Sequence, residues 1–305
     1  MIAAKDSIQA SPLTQRAPVL PGNAEHVALV TCPGMPTGGA DRELLEKALA
    51  RQGVRLSCQV WSDPDVPWES FHALLPLYAW DYSNRPSSFR AWLAERESAG
   101  ALIINDARSV RWCLDKAYLL GLQEQGVEMA DTQLRVAGAA SSGVWPIGAT
   151  VVVKPRLGAG SRGLQLQSSG EWRVSTQDRI VQLYEPAVAA RGEVGVVCVE
   201  GVPLGCVRRV AAPGEFRVPE EWGGEVRDEP LSEAAEAAAR RVLAAMPFQP
   251  TYCRLDFWDV REDRWLLAEV ETFDPDLYLR RLDGVADTLA AAVARRLRGG
   301  VLAAE

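Results

Sequence analysis

The sequence predicts an α/β protein in which a small parallel lobe comes before further mixed α and β structure. Roughly residues 26–110 alternate apolar strand segments with amphipathic helices, the order that parallel sheets require. The middle of the chain contains short β-branched segments separated by turn residues, which is typical of an antiparallel sheet. The last part combines strands with alanine-rich helices. Because 305 residues exceed the usual size of a single core, we expect two or three packed lobes.

The first lobe is predicted to begin with the strand "HVALVTC" and the helix "DRELLEKALARQG", which ends at Gly53. "VRLSCQVW" predicts a second strand, and "WESFHALLPLYAW" a helix leading into another strand. "PSSFRAWLAERESAG" predicts a further helix, and "ALIIN" a closing strand. The residues before 26 are rich in Ser, Pro, Gln and Ala without periodicity, which predicts a flexible arm.

The following segments indicate a helix, an antiparallel sheet and a larger mixed lobe. The helix covers "SVRWCLDKAYLLGLQEQGV" and carries Asp115 and Lys116 near its start. The sheet is predicted from "TVVVKP", "GLQLQ", "EWRVS" and "RIVQLYEP". A hairpin turning at Glu200 and Gly201 comes next, then the helix "SEAAEAAARRVLAAM", the strands "TYCRLDFWDV" and "RWLLAEVET", and a helix from about Asp287.

The composition narrows the function. A net charge of -7 argues against nucleic acid as a partner, because neutralising phosphates needs a basic face. No apolar run reaches the roughly 18 residues of a membrane span, and the N-terminus lacks the apolar core of a signal peptide, so we expect a cytoplasmic protein away from membranes. The six cysteines form no C-x-x-C pair and are interpreted as reduced core residues.

Histidine is scarce, which removes whole classes of chemistry. Only His26 and His72 are present, and neither lies near an acid-rich motif that would suggest a catalytic triad or a zinc site. Any catalysis must therefore use carboxylates, lysines, arginines and backbone amides, with or without a divalent metal.

The segment "VVVKPRLGAGSRG" is the first candidate for a binding site. Gly158, Gly160 and Gly163 let backbone amides approach a polyanion, and Lys154 supplies a positive charge. The lysine precedes the glycines on a strand, unlike a P-loop or a dinucleotide fingerprint. This order favours a lid over phosphates, and a mobile hairpin loop is the alternative.

Three carboxylates form the second candidate. Asp256 lies on one predicted strand, while Glu269 and Glu271 occupy alternate positions on the next and so share a face. Like charges there repel unless a cation is shared, and oxygen ligands in an apolar surround suit Mg²⁺. A solvated strand edge is the alternative.

The ordered set of motifs resembles the ATP-grasp superfamily over roughly residues 113–285. The set comprises Lys116, "VVVKP" with its glycine loop, "VQLYEP", "RGEVGVV", "CRLDF" and "AEVE". The segments "VWSDPDVPWESF", "WDYSNRPSSFRAWL", "RWCLDKAYLL", "AAPGEFRV" and "EWGG" are similar to the branch with the cyclo-ligase of cycloserine biosynthesis, which closes an O-ureido-serine to its ring.

The resemblance implies an ATP-grasp fold in which two α+β subdomains hold ATP between them, after a small parallel α/β pre-ATP-grasp domain. The implied divisions are a flexible arm over 1–25, the pre-ATP-grasp domain over 26–112, the small lid subdomain over 113–190 and the large C-terminal subdomain over 191–305.

The resemblance also implies ATP and Mg²⁺ as cofactors, and it implies roles for individual residues. Arg254 would steady the transferring phosphoryl group, and Glu271 departs from the asparagine of many relatives. Phosphates would be held by Lys116, Lys154 and the loop at Gly158, Gly160, Ser161 and Gly163; adenine by Gln182 with the backbone at Leu183 and Tyr184; ribose by Glu193; and Mg²⁺ by Asp256, Glu269 and Glu271.

For the substrate, arginine side chains are the best candidates, because a guanidinium matches a carboxylate with two hydrogen bonds. Arg208, Arg209 and Arg217 are predicted to grip an anionic group, with a solvated basic turn as the alternative. Trp80 and Trp222 are added because both lie in motifs shared with the cycloserine branch.

The function that follows is an ADP-forming carboxylate–amine ligase that acts through an acyl phosphate on a small amino-acid-like substrate, in specialised metabolism. Such chemistry depends on positioning and charge neutralisation, which fits a chain poor in histidine. The alternatives are a peptide-modifying ligase, a kinase of the same fold and a non-catalytic ATP-binding regulator. The alanine-rich helices suit either a close-packed scaffold or the contact surface of a homodimer.

Overall fold

The N-terminal lobe is built on a parallel three-stranded sheet. In this computed structural model, which describes residues 24–138, 145–146, 148–158, 160–169, 175–261 and 264–299, the sheet contains β1 (Glu25–Thr31), β2 (Val54–Val60) and β3 (Ala73–Tyr78). The order is β2-β1-β3, with both pairs parallel. Around it lie the helices α1 (Arg42–Arg51), α2 (Pro86–Ser98) and α3 (Ala107–Leu114). The predicted flexible arm lies almost entirely outside the described residues.

Two predictions for this lobe are wrong. Only Trp68–Ser70 form a helical turn, and the strand begins at Ala73, so His72 lies outside any helix. All six residues of β3 are buried, although β3 is the last strand in the sheet order, and periodicity alone does not distinguish the continuous apolar run "ALLPLY" from a buried helix. "ALIIN" makes only an isolated bridge, between Ile103 and Leu74.

The helix predicted around Lys116 is interrupted. Helix α3 ends at Leu114 and α4 spans Tyr118–Glu124, so Lys116 lies in the break between them. The Asp115 carboxylate accepts the amide of Ala117 at 3.0 Å and both Nε and Nη2 of Arg156 at 2.7 Å. A side chain that bonds its own backbone in this way competes with helical hydrogen bonds, which explains the break.

The second sheet is antiparallel, as predicted. Its strands are β4 (Thr132–Arg135), β5 (Thr150–Pro155), β6 (Gln165–Ser168) and β7 (Arg179–Leu183), in the order β4-β7-β5-β6. Strand β4 was not predicted, and the "EWRVS" segment lies almost entirely outside the described residues.

The third sheet contains β8 (Glu193–Val199), β9 (Val202–Val210), β10 (Glu225–Glu229), β11 (Tyr252–Arg261) and β12 (Arg264–Glu271). Their order is β10-β9-β8-β11-β12 and all pairs are antiparallel. The predicted hairpin is confirmed, because Glu200 and Gly201 have φ values of 47° and 81° between β8 and β9. The helices of this part are α5 (Ala187–Arg191), α6 (Glu233–Ala245) and α7 (Val285–Leu297).

The helices α6 and α7 pack into different apolar cores. Helix α6 packs against the third sheet through Ala239 and Val242. Helix α7 instead shares a core with α1 and the first sheet through Leu289 and Val293. Among the described residues, no helix is long and apolar enough to cross a membrane.

Asn105 joins the N-terminal lobe to the third sheet. Its side-chain amide donates to the carbonyls of Tyr252 at 2.7 Å and Thr272 at 2.8 Å, and its Oδ1 accepts the amide of Thr251. Because Asn105 is buried, water could not replace its hydrogen bonds to these backbone groups.

Replacing Asn105 with Ala should therefore lower the free energy of unfolding by about 3 kcal/mol, since several buried polar groups lose their partner. Urea denaturation followed by tryptophan fluorescence measures this. Asn84→Ala is the matched control, because Asn84 is exposed, and its effect should stay within about 0.5 kcal/mol. Equal effects of the two substitutions would contradict the role of Asn105.

Candidate active site

A cleft with a volume of about 310 Å³ lies where the lobes meet. Its lining comes from the second sheet, the third sheet, the turn after β3 and the segment after β12. Fourteen of the predicted residues line it: Trp80, Lys116, Lys154, Gly158, Gly160, Ser161, Tyr184, Glu193, Arg209, Arg217, Arg254, Asp256, Glu269 and Glu271. The others, Gly163, Gln182, Leu183, Arg208 and Trp222, do not.

Strand register brings the carboxylates together. Asp256 on β11 stands opposite Glu269 on β12, and Arg254 stands opposite Glu271. Side chains alternate along a strand, so residues two positions apart share a face, and all four side chains reach the cleft. The shared face of the two glutamates is the one predicted from this period of two.

The centre of the cleft is a buried ion-pair network. Arg254 binds Asp256 with two hydrogen bonds, from Nε at 2.8 Å and from Nη2 at 3.0 Å, and Arg209 Nη2 lies 2.7 Å from the same carboxylate. Arg254 Nη2 also lies 2.9 Å from Glu271 Oε1. Burial alone would raise the pKa of Asp256, but the two guanidinium groups outweigh it and hold the pKa at about 2.

The two lysines have different surroundings. Lys116 forms an ion pair with Glu269. Lys154 is buried, donates to the carbonyl of Ala268 at 3.2 Å and lies over the ring of Trp258, but it forms no ion pair with any described residue. Burial lowers the pKa of Lys154, because its charge has no fixed counterion in the cleft. An anionic ligand would supply one.

The donor set suits Mg²⁺, although the carboxylates are engaged with cationic side chains. Burial, together with Asp256 and Glu269, raises the pKa of Glu271 to about 8 despite Arg254, so negative charge is crowded here. No group of three or more His, Cys, Asp or Glu side chains within the described ranges is already arranged around a metal position. Mg²⁺ therefore fits by chemistry, provided that the carboxylates exchange arginine and lysine for the ion.

The glycine loop is held from two sides. Tyr82 Oη donates to the carbonyl of Gly158 at 3.4 Å, and Trp222 Nε1 donates to that of Gly160 at 3.1 Å. A Cβ at Gly160 would lie 2.8 Å from Glu221 Oε1, and the φ of 60° also favours glycine. Gly163 does not line the cleft, and a Cβ there would lie 3.0 Å from Pro155 Cγ.

The residues predicted for adenine are mostly committed elsewhere. Gln182 is fully buried and donates to Thr132 Oγ1 at 3.0 Å, and its Oε1 has no partner. The amides of Leu183 and Tyr184 donate to the carbonyls of Asp131 and Thr150, at 3.0 and 2.9 Å. Only Tyr184 of the three lines the cleft.

Glu193, predicted for ribose, forms an ion pair with Arg209 and accepts Trp258 Nε1 at 3.2 Å. Burial raises its pKa, and the nearby Asp256 carboxylate adds to this, while Arg209 opposes it.

Neighbouring arginines on β9 face opposite ways. Arg209 reaches the cleft, whereas Arg208 pairs with Glu229 at 2.8 Å and Asp259 at 3.0 Å on the other face. The prediction that Arg208 grips substrate is therefore wrong in this structure, because side chains alternate along a strand. Arg217 lines the cleft, pairs with Glu215 and stacks 3.4 Å from the ring centre of Trp222. Trp222 thus contacts both Arg217 and the glycine loop but does not itself line the cleft.

Sequence reasoning missed the segment after β12. Asp274, Asp276 and Tyr278 all line the cleft from irregular structure. The motif "FDPD", which begins two residues after Glu271, was the available signal, because two acids around a proline indicate a polar turn that continues from the carboxylate strand.

The sheets and the cleft between them define the class of protein: the chain has the ATP-grasp fold. The crystal structure of an ATP-grasp RimK domain protein from Sphaerobacter thermophilus superimposes with a TM-score of 0.63 at 19% identity, covering 88% of this chain and 98% of that one. D-alanine–D-alanine ligase from Bacillus anthracis, solved as its complex with ATP, gives 0.61 at 16% identity, covering 90% and 99%.

More particular likenesses point to one branch. Residues 27–105 match the family model described as the N-terminal domain of the D-cycloserine synthetase DcsG. The cycloserine biosynthesis protein DcsG of Streptomyces lavendulae is 26% identical over 282 residues, 85% of this chain and 94% of that protein. The crystal structure of D-cycloserine synthetase DcsG gives a TM-score of 0.77 at 25% identity over 89% of this chain and 99% of that one. The chain thus resembles ATP-grasp ligases, cycloserine synthetase among them, which confirms the predicted resemblance.

The two faces of β9 give a matched test of the cleft. Arg209→Ala removes a cation that holds both Asp256 and Glu193, so ATP-dependent turnover should fall by about 100-fold. Arg208→Ala should leave turnover within about threefold and lower only the melting temperature, since Arg208 lies outside the cleft. Steady-state rates and thermal melts separate the two, and a loss of turnover in Arg208→Ala alone would contradict this placement.

Proposed function

We propose that the protein is an ADP-forming ligase that joins a carboxylate to an amine through an acyl phosphate. One observation carries the proposal: buried Lys154, which has no ion pair in the described part of the chain, faces the same cleft as Asp256, Glu269 and Glu271. A lysine that forms no ion pair with any described residue, close to several carboxylates, suits a ligand that brings phosphates and a divalent metal together. The relationship to ATP-grasp ligases supports it.

In the proposed reaction, Lys116, Lys154 and the loop at Gly158, Gly160 and Ser161 bind the phosphates of ATP. Asp256, Glu269 and Glu271 hold Mg²⁺, which shields the negative charge of the β- and γ-phosphates when bound. Arg254 leaves its carboxylate partners and binds the transferring phosphoryl group. The arginine and lysine side chains that pair with the carboxylates in this structure are the same groups that would bind the phosphates.

The two chemical steps keep their atoms in balance. A carboxylate oxygen of the substrate attacks the γ-phosphorus, the bond to the β,γ-bridging oxygen breaks, and ADP leaves. The amine nitrogen then attacks the acyl carbon, loses a proton, and expels phosphate as the C–N bond forms. Positioning and charge stabilisation by lysine and arginine are sufficient for both steps, without histidine.

The proposed substrate is a small amino-acid-like molecule, in natural-product biosynthesis as for the DcsG relative. Its binding site is formed by Trp80, Arg209 and Arg217, and Trp222 supports Arg217. We retain the division into domains at residues 26–112, 113–190 and 191–305, a cytoplasmic location and a homodimer as parts of the proposal.

An assay with hydroxylamine tests the activated carboxylate directly. The protein is incubated with ATP, Mg²⁺, pools of amino acids and hydroxylamine, which captures an acyl phosphate as a hydroxamate. ADP release with a hydroxamate is the expected result. AMP release overturns the acyl-phosphate step, a phosphorylated product without hydroxamate indicates a kinase, and ATP binding without turnover indicates a regulator. A precursor peptide as the only accepted substrate would indicate a peptide-modifying ligase.

Lys154→Ala should reduce ADP release by at least about 1000-fold, because a phosphate contact made in the transition state is lost. Lys47→Ala is the control, since Lys47 is exposed on α1 and should keep the wild-type rate. Initial rates of ADP release measure both. Turnover that survives in Lys154→Ala would show that the glycine loop and its lysine do not bind the phosphates.

A further inference from the structure

Asp274 is held in an unusual backbone conformation at the edge of the cleft. Its φ is 51°, a region that residues with a side chain rarely adopt. The conformation is fixed from the N-terminal lobe, because the Asp274 amide donates to the carbonyl of Pro76 at 3.2 Å and its carbonyl accepts Trp80 Nε1 at 2.9 Å. Two lobes therefore cooperate to place this one side chain.

The Asp274 carboxyl group has no partner in the described protein. The residue is 9% exposed, its Oδ2 is buried without a hydrogen bond, and the carboxyl forms no ion pair or hydrogen bond with any residue that the structure describes. The cations whose charge affects this carboxyl group are already engaged: Lys116 with Glu269, and Arg254 with Asp256 and Glu271. By contrast, Asp276 accepts the amide of Tyr278 at 2.9 Å and pairs with Arg280 at 3.5 Å.

A buried carboxyl group without a partner costs free energy unless a donor arrives with the ligand. Burial raises the pKa of Asp274 well above its usual range, and the nearby Glu271 carboxylate adds to this, so the charged form lacks compensation. The donor that fits is a cationic N–H group. Trp80, Tyr82 and Tyr278 line the same cleft, and aromatic rings also suit an ammonium group.

We infer that Asp274 is a specificity-determining residue that binds the primary amine of the substrate. The amine donates N–H to the carboxylate, and the aromatic side chains surround the ammonium group. Arg217, on the same cleft, would bind the opposite charge of an amino-acid-like ligand in exchange for its present partner Glu215. The inference rests on the proposed function for the presence of an amine-bearing substrate, but it assigns a residue that the phosphate and metal roles leave unused.

The test compares ligands that differ only in the amine. Binding of D-alanine against propionate, and of D-serine against 3-hydroxypropionate, is measured by calorimetry with Mg²⁺ and a non-hydrolysable ATP analogue present. The wild-type chain should prefer the amine-bearing member of at least one pair by tenfold or more. Asp274→Asn should reduce this preference to within threefold, while leaving the affinity for the ATP analogue unchanged.

Asp283→Asn is the matched control, because Asp283 makes the same change at an exposed position shortly after Asp274 and should keep the wild-type preference. A wild-type chain without preference for the amine in any pair, or an Asp274→Asn chain that keeps the preference, overturns the inference. If Asp274→Asn does not fold, Asp274→Ser is judged by the same criterion. Hydroxamate formation separates the two proposals: amine preference without hydroxamate overturns the proposed function alone, and hydroxamate with an unchanged preference in Asp274→Asn overturns Asp274 alone.

Discussion

The cleft depends on the buried pairing of Arg254 with Asp256. The two residues are 4% and 3% exposed, so neither charge is solvated by water and each depends on the other. Asp256 also binds Arg209 from β9, and Arg254 binds Glu271 from β12. One ion pair on β11 therefore positions charged side chains on β9, two strands away in the sheet, and on the adjacent β12. Removing either member would leave the other with a single buried ion-pair partner, Arg209 for Asp256 or Glu271 for Arg254.

This network explains how a cleft with many charges can fold without its ligand. Each cation that nucleotide phosphates would attract is held by a carboxylate that a metal would attract, except Lys154, which has no ion pair among the described residues. Binding is then an exchange of partners between charges that are already in place. Less reorganisation is needed than if the side chains had to move in from water.

The sequence allowed a large part of the fold to be predicted, and the errors have physical causes. Strand alternation correctly placed Arg254, Asp256, Glu269 and Glu271 in the cleft, because the period of two is a property of the backbone. The same rule could not say which of Arg208 and Arg209 faces inward, since that depends on the pairing of β9 with β8 and β10. The "FDPD" motif indicated a polar turn, but the place of Asp274 in the cleft could not be predicted, because it depends on Pro76 and Trp80, almost two hundred residues earlier.

Because α7 packs into the N-terminal lobe, the continuous stretch of sequence that forms this lobe does not complete its core by itself. Leu289 and Val293 of this last helix complete the core that contains Leu29, Leu45 and Leu49 of the first lobe. A fragment that stops at the end of the N-terminal lobe would leave that core open to water on one side. Helix α7 must therefore reach the first lobe before its core is complete, so this lobe becomes stable only after α7 has been synthesised.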